Sequence, residues 1–346
     1  MTTAKGRLGK AVRSGAVLVA WLLAGAGTPA AGDEMAAGRA PDVAADGAKP
    51  VMSYLYRWGE PGTGTGQFRA IRGIVAHDRK ASDRIVVVVA DTGRDLVRAF
   101  TSDMMFIDKW GESGSGAGEF SEPRGVAIDG EGKLLVVDAG NHRIQKTEVG
   151  TATFLERPGE SLSAFGRRGS ADGEFEMPTG VAVTADGEIL VVDTGNHRVQ
   201  RFDASGQFLS SFGTEGDGDG EFRHPTYVAI DSAGHLYVSD TGNHRLQRFD
   251  AEGVYLGQIG KVGREPGHFA EPKGLAVDGE GNLWVVDRRN HRVQKFDPQG
   301  RFVGAVGQQG GGNGDFNFPE DLAIDSRGRI YVTDGMNSRI QVFKPN

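Results

Sequence analysis

Between residues 176 and 213, short apolar runs alternate with tight polar turns. Residues 179–183 form one apolar strand, and residues 188–193, rich in branched side chains, form a second. Ala185, Asp186 and Gly187 turn between them. Thr194, Gly195 and Asn196 turn again, because Asn and Gly tolerate the left-handed backbone that a tight turn needs. Residues 197–203 alternate, with Val199 and Phe202 facing inward. Residues 207–213 make a fourth strand after a turn at 204–206. Nothing in the unit has the period of a helix.

The unit recurs. The pattern G-x-x-G-x-x-x-G-x-F starts six times, at Gly59, Gly111, Gly166, Gly213, Gly260 and Gly307, and ends at Phe68, Phe120, Phe175, Phe222, Phe269 and Phe316. A second anchor, an Asp closing an apolar run, falls at Asp91, Asp138, Asp193, Asp240, Asp287 and Asp334, with spacings of 47, 55, 47, 47 and 47 residues. The extra 8 residues lie around 147–160. Four strands in about 47 residues is the size of a propeller blade. Six blades must close into a ring or leave two sheet edges exposed. The last unit stops at Asn346 after three strands, whereas residues 53–59 read as a fourth strand with none before it. The expected fold is all-β: a six-bladed β-propeller of four-stranded antiparallel blades over 52–346, closed by the N-terminal strand completing the last blade.

Composition agrees with a turn made many times. Gly supplies 54 of 346 residues, roughly twice its usual ~7% share. There is no Cys, so disulfides and Cys-based metal sites are excluded. Ahead of the repeats, residues 1–13 are basic and polar. An apolar run follows at 16–24, then small residues ending in Thr28, Pro29 and Ala30. That order is a secretion signal over 1–30, or an anchor if it is left uncleaved. Residues 31–51 read as a disordered linker. The chain is expected outside the cytoplasm, periplasmic or extracellular, and membrane-anchored only if that segment stays. The full chain carries a net charge of −7, and losing Lys5, Arg7, Lys10 and Arg13 with the signal leaves −11. That balance opposes nucleic-acid binding, which rests on clustered Lys and Arg.

The tripeptides Asn141-His142-Arg143, Asn196-His197-Arg198, Asn243-His244-Arg245 and Asn290-His291-Arg292, with the flanking V-x-D-x-x-N-x-R and the preceding P-x-G-V-A-x-D, resemble the NHL-repeat family. The resemblance covers about residues 52–346. It implies the propeller fold and leaves function open, since the family includes RNA- and protein-binding propellers, sensor domains of membrane kinases and a peptide-amidating lyase.

Most residues with chemical potential read as structural because they recur in every unit. The Gly-rich segments lack the Gly-Lys-Ser/Thr of a phosphate loop and read as blade connectors, each with its Phe plugged between blades. Asp217, Asp219 and Glu221 resemble a calcium loop, but lie inside a connector and lack the rest of that motif. His142, His197, His244 and His291 repeat one per blade, which places them apart in surface turns. Asp138/Arg143, Asp193/Arg198, Asp240/Arg245, Asp287/Arg292 and Asp334/Arg339 read as acid–guanidinium pairs across a turn, with a bidentate bond as the expected lock.

Function is therefore sought where the repeat fails. At the start of each innermost strand the aligned residues are Arg72, Arg124, Thr179, Thr226, Lys273 and Glu320. The next position holds Gly73, Gly125, Gly180, Tyr227, Gly274 and Asp321. These are expected to ring one mouth of the central channel, with neutral drift in surface loops as the competing explanation. The turns after the second strands vary too: Arg94 and Asp95, Arg288 and Arg289, Gly335 and Met336. The first expectation is a monomeric, non-catalytic binding or scaffold module, without cofactor, for a protein, peptide or carbohydrate ligand held through Arg72, Arg124, Thr179, Thr226, Tyr227, Lys273, Glu320 and Asp321. The alternative implied by the family is a metal-dependent lyase or hydrolase of the amidating-lyase type, using zinc or calcium in the channel. His77, His224, Arg72, Arg124 and Tyr227 are its nearest materials, and no third convergent His is evident.

Overall fold

The computed structural model describes residues 50–79, 84–147 and 162–346. The expected signal at 1–30, nearly all of the linker and most of the insert lie outside the described residues. Six four-stranded antiparallel sheets follow one another along the chain. The innermost strands are Ile71–Arg79, Pro123–Ile128, Val181–Val183, Val228–Ile230, Pro272–Val277 and Pro319–Ile324, numbered here as blades 1 to 6. Each packs against the next, and the sixth packs against the first, so the ring is closed.

Closure happens in blade 6. The outermost strand there is Met52–Trp58, paired antiparallel with Arg339–Pro345, Tyr54 opposite Phe343 and Trp58 opposite Ile340. The strand count along the sequence required this pairing, and the structure makes it. Both ends of the ring are thereby tied into one sheet, and Arg339–Pro345 is not left as an open edge.

The apolar alternation builds six cores, one at each blade boundary. Leu190, Val192 and Val199 of blade 3 pack with Val228, Leu236 and Val238 of blade 4, for example. Each connector Phe is fully buried. The Gly that opens the connector exists because of it: at Gly166 a Cβ would lie 2.3 Å from the Phe175 ring. The turns between second and third strands are single 3-10 turns, such as Thr194–Asn196, that the sequence pattern read only as tight turns.

The repeated Asp is the hub of each blade. Asp193 Oδ1 accepts the Glu176 backbone N–H at 2.8 Å. Its Oδ2 accepts from Asn196 Nδ2 at 2.8 Å, Arg198 Nε at 2.9 Å and Gln200 Nε2 at 3.1 Å. The expected bidentate Asp–Arg bond is not what forms. Only Nε meets the carboxylate, and Arg198 Nη2 crosses to the carbonyls of Ala171 and Glu174 at 2.7 and 3.0 Å. The arginine thus ties the hairpin to the Gly-rich connector, which has carbonyls to offer because it forms almost no ladder of its own.

Candidate functional site

The varying residues meet on one face. Thr92 Oγ1 donates to the Pro123 carbonyl at 2.6 Å, Thr194 Oγ1 to Pro225 at 2.7 Å and Thr241 Oγ1 to Pro272 at 2.7 Å. Each bond joins the 3-10 turn of one blade to the start of the next inner strand. Connectors, 3-10 turns and inner-strand starts therefore share the face that bears the channel mouth.

At that mouth the inner strands approach backbone to backbone. A Cβ on Gly125 would lie 2.5 Å from the Thr179 carbonyl, and one on Gly180 would lie 2.5 Å from that of Thr226. Tyr227 and Asp321 depart from this glycine ring, and each has a partner change. The second-strand residue before the hub Asp is Ala90, Val137, Val192 or Val286 in the glycine blades, but Ser239 and Thr333 in blades 4 and 6. Ser239 Oγ accepts from Tyr227 N at 2.9 Å, and Thr333 Oγ1 accepts from Asp321 N at 2.8 Å. Thr333 also donates to the Arg72 carbonyl at 2.9 Å, across the closure. A hydroxyl replaces the apolar side chain wherever the glycine is lost.

Asp321 bridges two blades. Its Oδ2 accepts from Ile74 N of blade 1 at 3.0 Å and its Oδ1 from Leu322 N at 2.8 Å. Burial pushes its pKa well above the ordinary carboxylate range, with Glu320 adding to the shift and the two N–H groups and Lys273 opposing it. Tyr227 is half-buried. Burial is also the main reason its pKa rises well above 10; Asp321 and Glu320 add to this, and Arg72 and Arg124 oppose it. Tyr227, in blade 4, thus lies within the electrostatic reach of charges from blades 6, 1 and 2.

Glu320 is buried and held by Lys273 Nζ at 2.7 Å and Arg288 Nε at 3.0 Å. Burial works to raise its pKa, but the surrounding Lys273, Arg288 and Arg72 charges prevail and hold it low. Arg288 continues to Glu271 at 3.1 Å and stacks over Phe318 at 4.9 Å. Arg288 was noted along the sequence only as a varying turn residue; its place beside Glu320 became visible once turn and mouth were shown to share a face. Thr179 and Thr226 lie at the same level: Thr179 Oγ1 reaches the next blade, donating to the Thr226 carbonyl at 2.6 Å, whereas Thr226 Oγ1 stays within its own blade, 2.7 Å from Thr241 Oγ1.

The four NHL-turn histidines do not converge. Each occupies the left-handed position after its 3-10 turn and clamps the next blade: Nδ1 of His142, His197, His244 and His291 accepts the backbone N–H of Met177, His224, Glu271 and Phe318. In blade 1, Asp95 does the same for Glu122 at 2.8 Å. His224 stacks on His197, ring centroids 4.6 Å apart, whereas His77 lies five residues along the blade 1 inner strand from Arg72, roughly 16 Å farther down. Among the described residues no three His, Cys, Asp or Glu side chains are grouped to hold a metal. In the segment that resembled a calcium loop, Glu221 accepts the Gly218 N–H at 3.0 Å, the bond Glu119 makes to Gly116 in blade 2.

Six four-stranded blades with a polar mouth on the connector face define a six-bladed β-propeller. The chain belongs to the NHL-repeat family: the NHL repeat profile matches residues 120–146, 175–202, 222–249, 269–296 and 316–343, blades 2 to 6 through their third strands. It is 32% identical over 102 residues to the Drosophila melanogaster protein brain tumor, covering 29% of this chain and 9% of that protein. It is 37% identical over 90 residues to a probable peptidyl-alpha-hydroxyglycine alpha-amidating lyase of Caenorhabditis elegans, 26% of this chain and 25% of that one. The matches thus span a quarter or less of these relatives. Among solved structures, a virginiamycin B lyase of Staphylococcus aureus superposes with a TM-score of 0.56 at 14% identity, over 85% of this chain and 86% of that one, a likeness of fold.

Proposed function

We propose that this chain is an exported, non-catalytic binding module that holds a protein, peptide or carbohydrate ligand over the connector-face mouth of its channel. One observation carries the reading: Tyr227 and Asp321 replace the glycine of the repeat, each with its own hydroxyl partner on the second strand, and the charges of Arg72, Arg124 and Glu320 act on Tyr227 while those of Glu320 and Lys273 act on Asp321. Drift would change such positions singly. The mouth offers guanidinium donors, a phenol that stays protonated and a buried carboxyl, the few placed polar groups a binding site uses.

The test is a pull-down from the periplasm and the medium with tagged protein, comparing the wild type with Arg72→Glu, Arg124→Glu and Lys273→Glu. Loss of a partner supports the mouth, and an unchanged partner set removes it. N-terminal sequencing of the exported protein tests the signal, with a start near residue 31 expected.

A metal-dependent lyase is the second reading, favoured by the similarity to the amidating lyase and by the grouping of Tyr227 with Arg72 and Arg124. Stoichiometric zinc or calcium in the purified protein would support it. The separation of His77 from His224 weighs on the other side.

A further inference from the structure

We propose that the connector face of blade 5 is a binding trough for an acidic peptide segment, beside the channel mouth and distinct from it.

Copies of one unit make each blade a control for the others. At six connector-face positions blade 4 carries Thr214, Asp217, Glu221, Thr226, Thr241 and Gly242. Blade 5 carries Lys261, Arg264, His268, Lys273, Arg288 and Arg289 at the same positions. Five cations stand where blade 4 has none, and both carboxylates are gone. Other positions run the other way, Glu265 for Gly218, Ala270 for Arg223 and Glu271 for His224, but the loop as a whole still shifts from −3 over residues 214–226 to +1 over 261–273, in a chain whose net charge is −7.

The structure divides these cations in two. Lys273 and Arg288 turn inward to Glu320 and belong to the mouth. Lys261 and Arg264 are exposed, and Arg289 is 61% exposed while its Nε reaches Glu271 at 2.6 Å. Arg264, Arg289 and Asn290 line two clefts, of about 320 and 380 Å³. His291 borders the same space. Its pKa is lowered, chiefly by burial, with the Arg288 and Arg264 charges contributing and Asp334 opposing.

The shape argues for a peptide over a point anion. One cleft has apolar side chains in its lining, Val262 and Phe318, with Val262 65% exposed. The other is lined also by Gln308 and Gln309, whose amides both donate and accept, as a peptide backbone does. The guanidinium groups that line both clefts suit carboxylates through paired donors. An extended acidic segment with an apolar side chain can use all three regions together.

The experiment is fluorescence anisotropy with a fluorescein-labelled hexapeptide of four glutamates and two leucines, at about 20 mM salt. The variant is the blade 4 swap Lys261→Thr, Arg264→Asp, Arg289→Gly, which uses residues the scaffold already accepts at these positions. Saturable binding is expected, weakened tenfold or more by the swap and by raising salt to about 200 mM, and unmoved by Arg72→Glu/Arg124→Glu. Absence of saturable binding overturns the proposal, as does equal binding by the swap. Preference for a heparin hexasaccharide would make the site a saccharide site, and loss with the mouth variant would move it to the mouth. If the swap lowers the unfolding midpoint, Arg264→Asp alone, on an exposed side chain, repeats the test. The pull-down on the mouth stands or falls separately, because the two experiments change different residues.

Discussion

In blade 1, Arg98 stands where the other five blades carry glutamine, and its Nη2 lies 3.1 Å from the Asp91 carboxylate. Both side chains are almost wholly buried. Arg98 Nη1 continues to the carbonyls of Gly64, Thr65 and Gln67 at 3.2, 3.1 and 2.6 Å. One residue thus does the work that Arg198 and Gln200 share in blade 3, while Leu96 fills the usual arginine position. Its targets lie in the connector that joins the closing strand to blade 1, so Arg98 fastens the seam of the ring. Removing one member of a buried pair leaves the other charge uncompensated. Arg98→Ala is expected to cost about 3–5 kcal/mol in urea unfolding. Leu96→Arg with Arg98→Gln and Arg94→Asn rebuilds the arrangement of the other blades, where Asn also bonds the hub Asp, and is expected to recover most of that loss. A rescue no better than the alanine variant would show that blade 1 depends on something besides this hub.

Deleting Met52–Trp58 is expected to abolish the single cooperative thermal transition. The strand supplies buried Met52, places Tyr54 6.0 Å from Phe343 and sets Trp58 4.6 Å from Phe100, centroid to centroid. Without it Arg339–Pro345 becomes an open edge, a template for pairing between chains. Calorimetry and size-exclusion chromatography check this. A monomer that melts as sharply as the full chain would show that five complete blades and a three-stranded sixth suffice.

The fold was legible because its signals repeat. Six Gly-to-Phe connectors and six hub Asp residues in register leave few topologies, and the unpaired strand at 53–59 had one place to go. The hub itself was only half legible. Spacing showed Asp with Arg, but the other partners of the Asn, the Gln and the arginine's second nitrogen are carbonyls in a connector distant along the chain. The histidines looked like inert turn residues, because a bond from Nδ1 to the next blade leaves no mark at short range. Mouth residues could be found as failures of the repeat. Their grouping could not, since which turn shares a face with the mouth depends on three-dimensional closure. Ser239 and Thr333 carried a readable signal, a hydroxyl in an otherwise apolar column, that gains meaning only beside Tyr227 and Asp321.

Gly180→Ala is expected to destabilise the ring although alanine is small. Its Cβ would lie 2.5 Å from the Thr226 carbonyl and 2.8 Å from Tyr227 Cα, both backbone atoms with little room to yield. Overpacking of this kind costs about 1–3 kcal/mol, read as a fall in the urea midpoint. Gly130 is the control, since nothing lies within 4 Å of a Cβ there, and Gly130→Ala should leave the midpoint in place. Equal midpoints for the two variants would mean that the inner strands can part more freely than their spacing indicates.

The clamp between blades 5 and 6 should weaken in mild acid. His291 Nδ1 accepts the Phe318 N–H at 3.2 Å, which requires that nitrogen to be unprotonated. Burial, chiefly, lowers the His291 pKa below its usual 6.5, so the folded protein resists protonation. The unfolded chain takes the proton first as pH falls. Unfolding therefore gains a proton in this window, and stability rises with pH there. The contribution is complete above about 6.5 and is lost as pH drops through 6.5 toward the lower folded value. Blade 1 supplies the comparison: Asp95, in the same left-handed position with φ 53°, accepts the Glu122 N–H through its carboxylate. His291→Asp keeps an acceptor that stays ionised across that range. Urea midpoints measured from pH 7.5 to 5 are expected to fall more steeply for the wild type than for His291→Asp. Parallel curves would show that proton uptake at His291 does not govern this clamp.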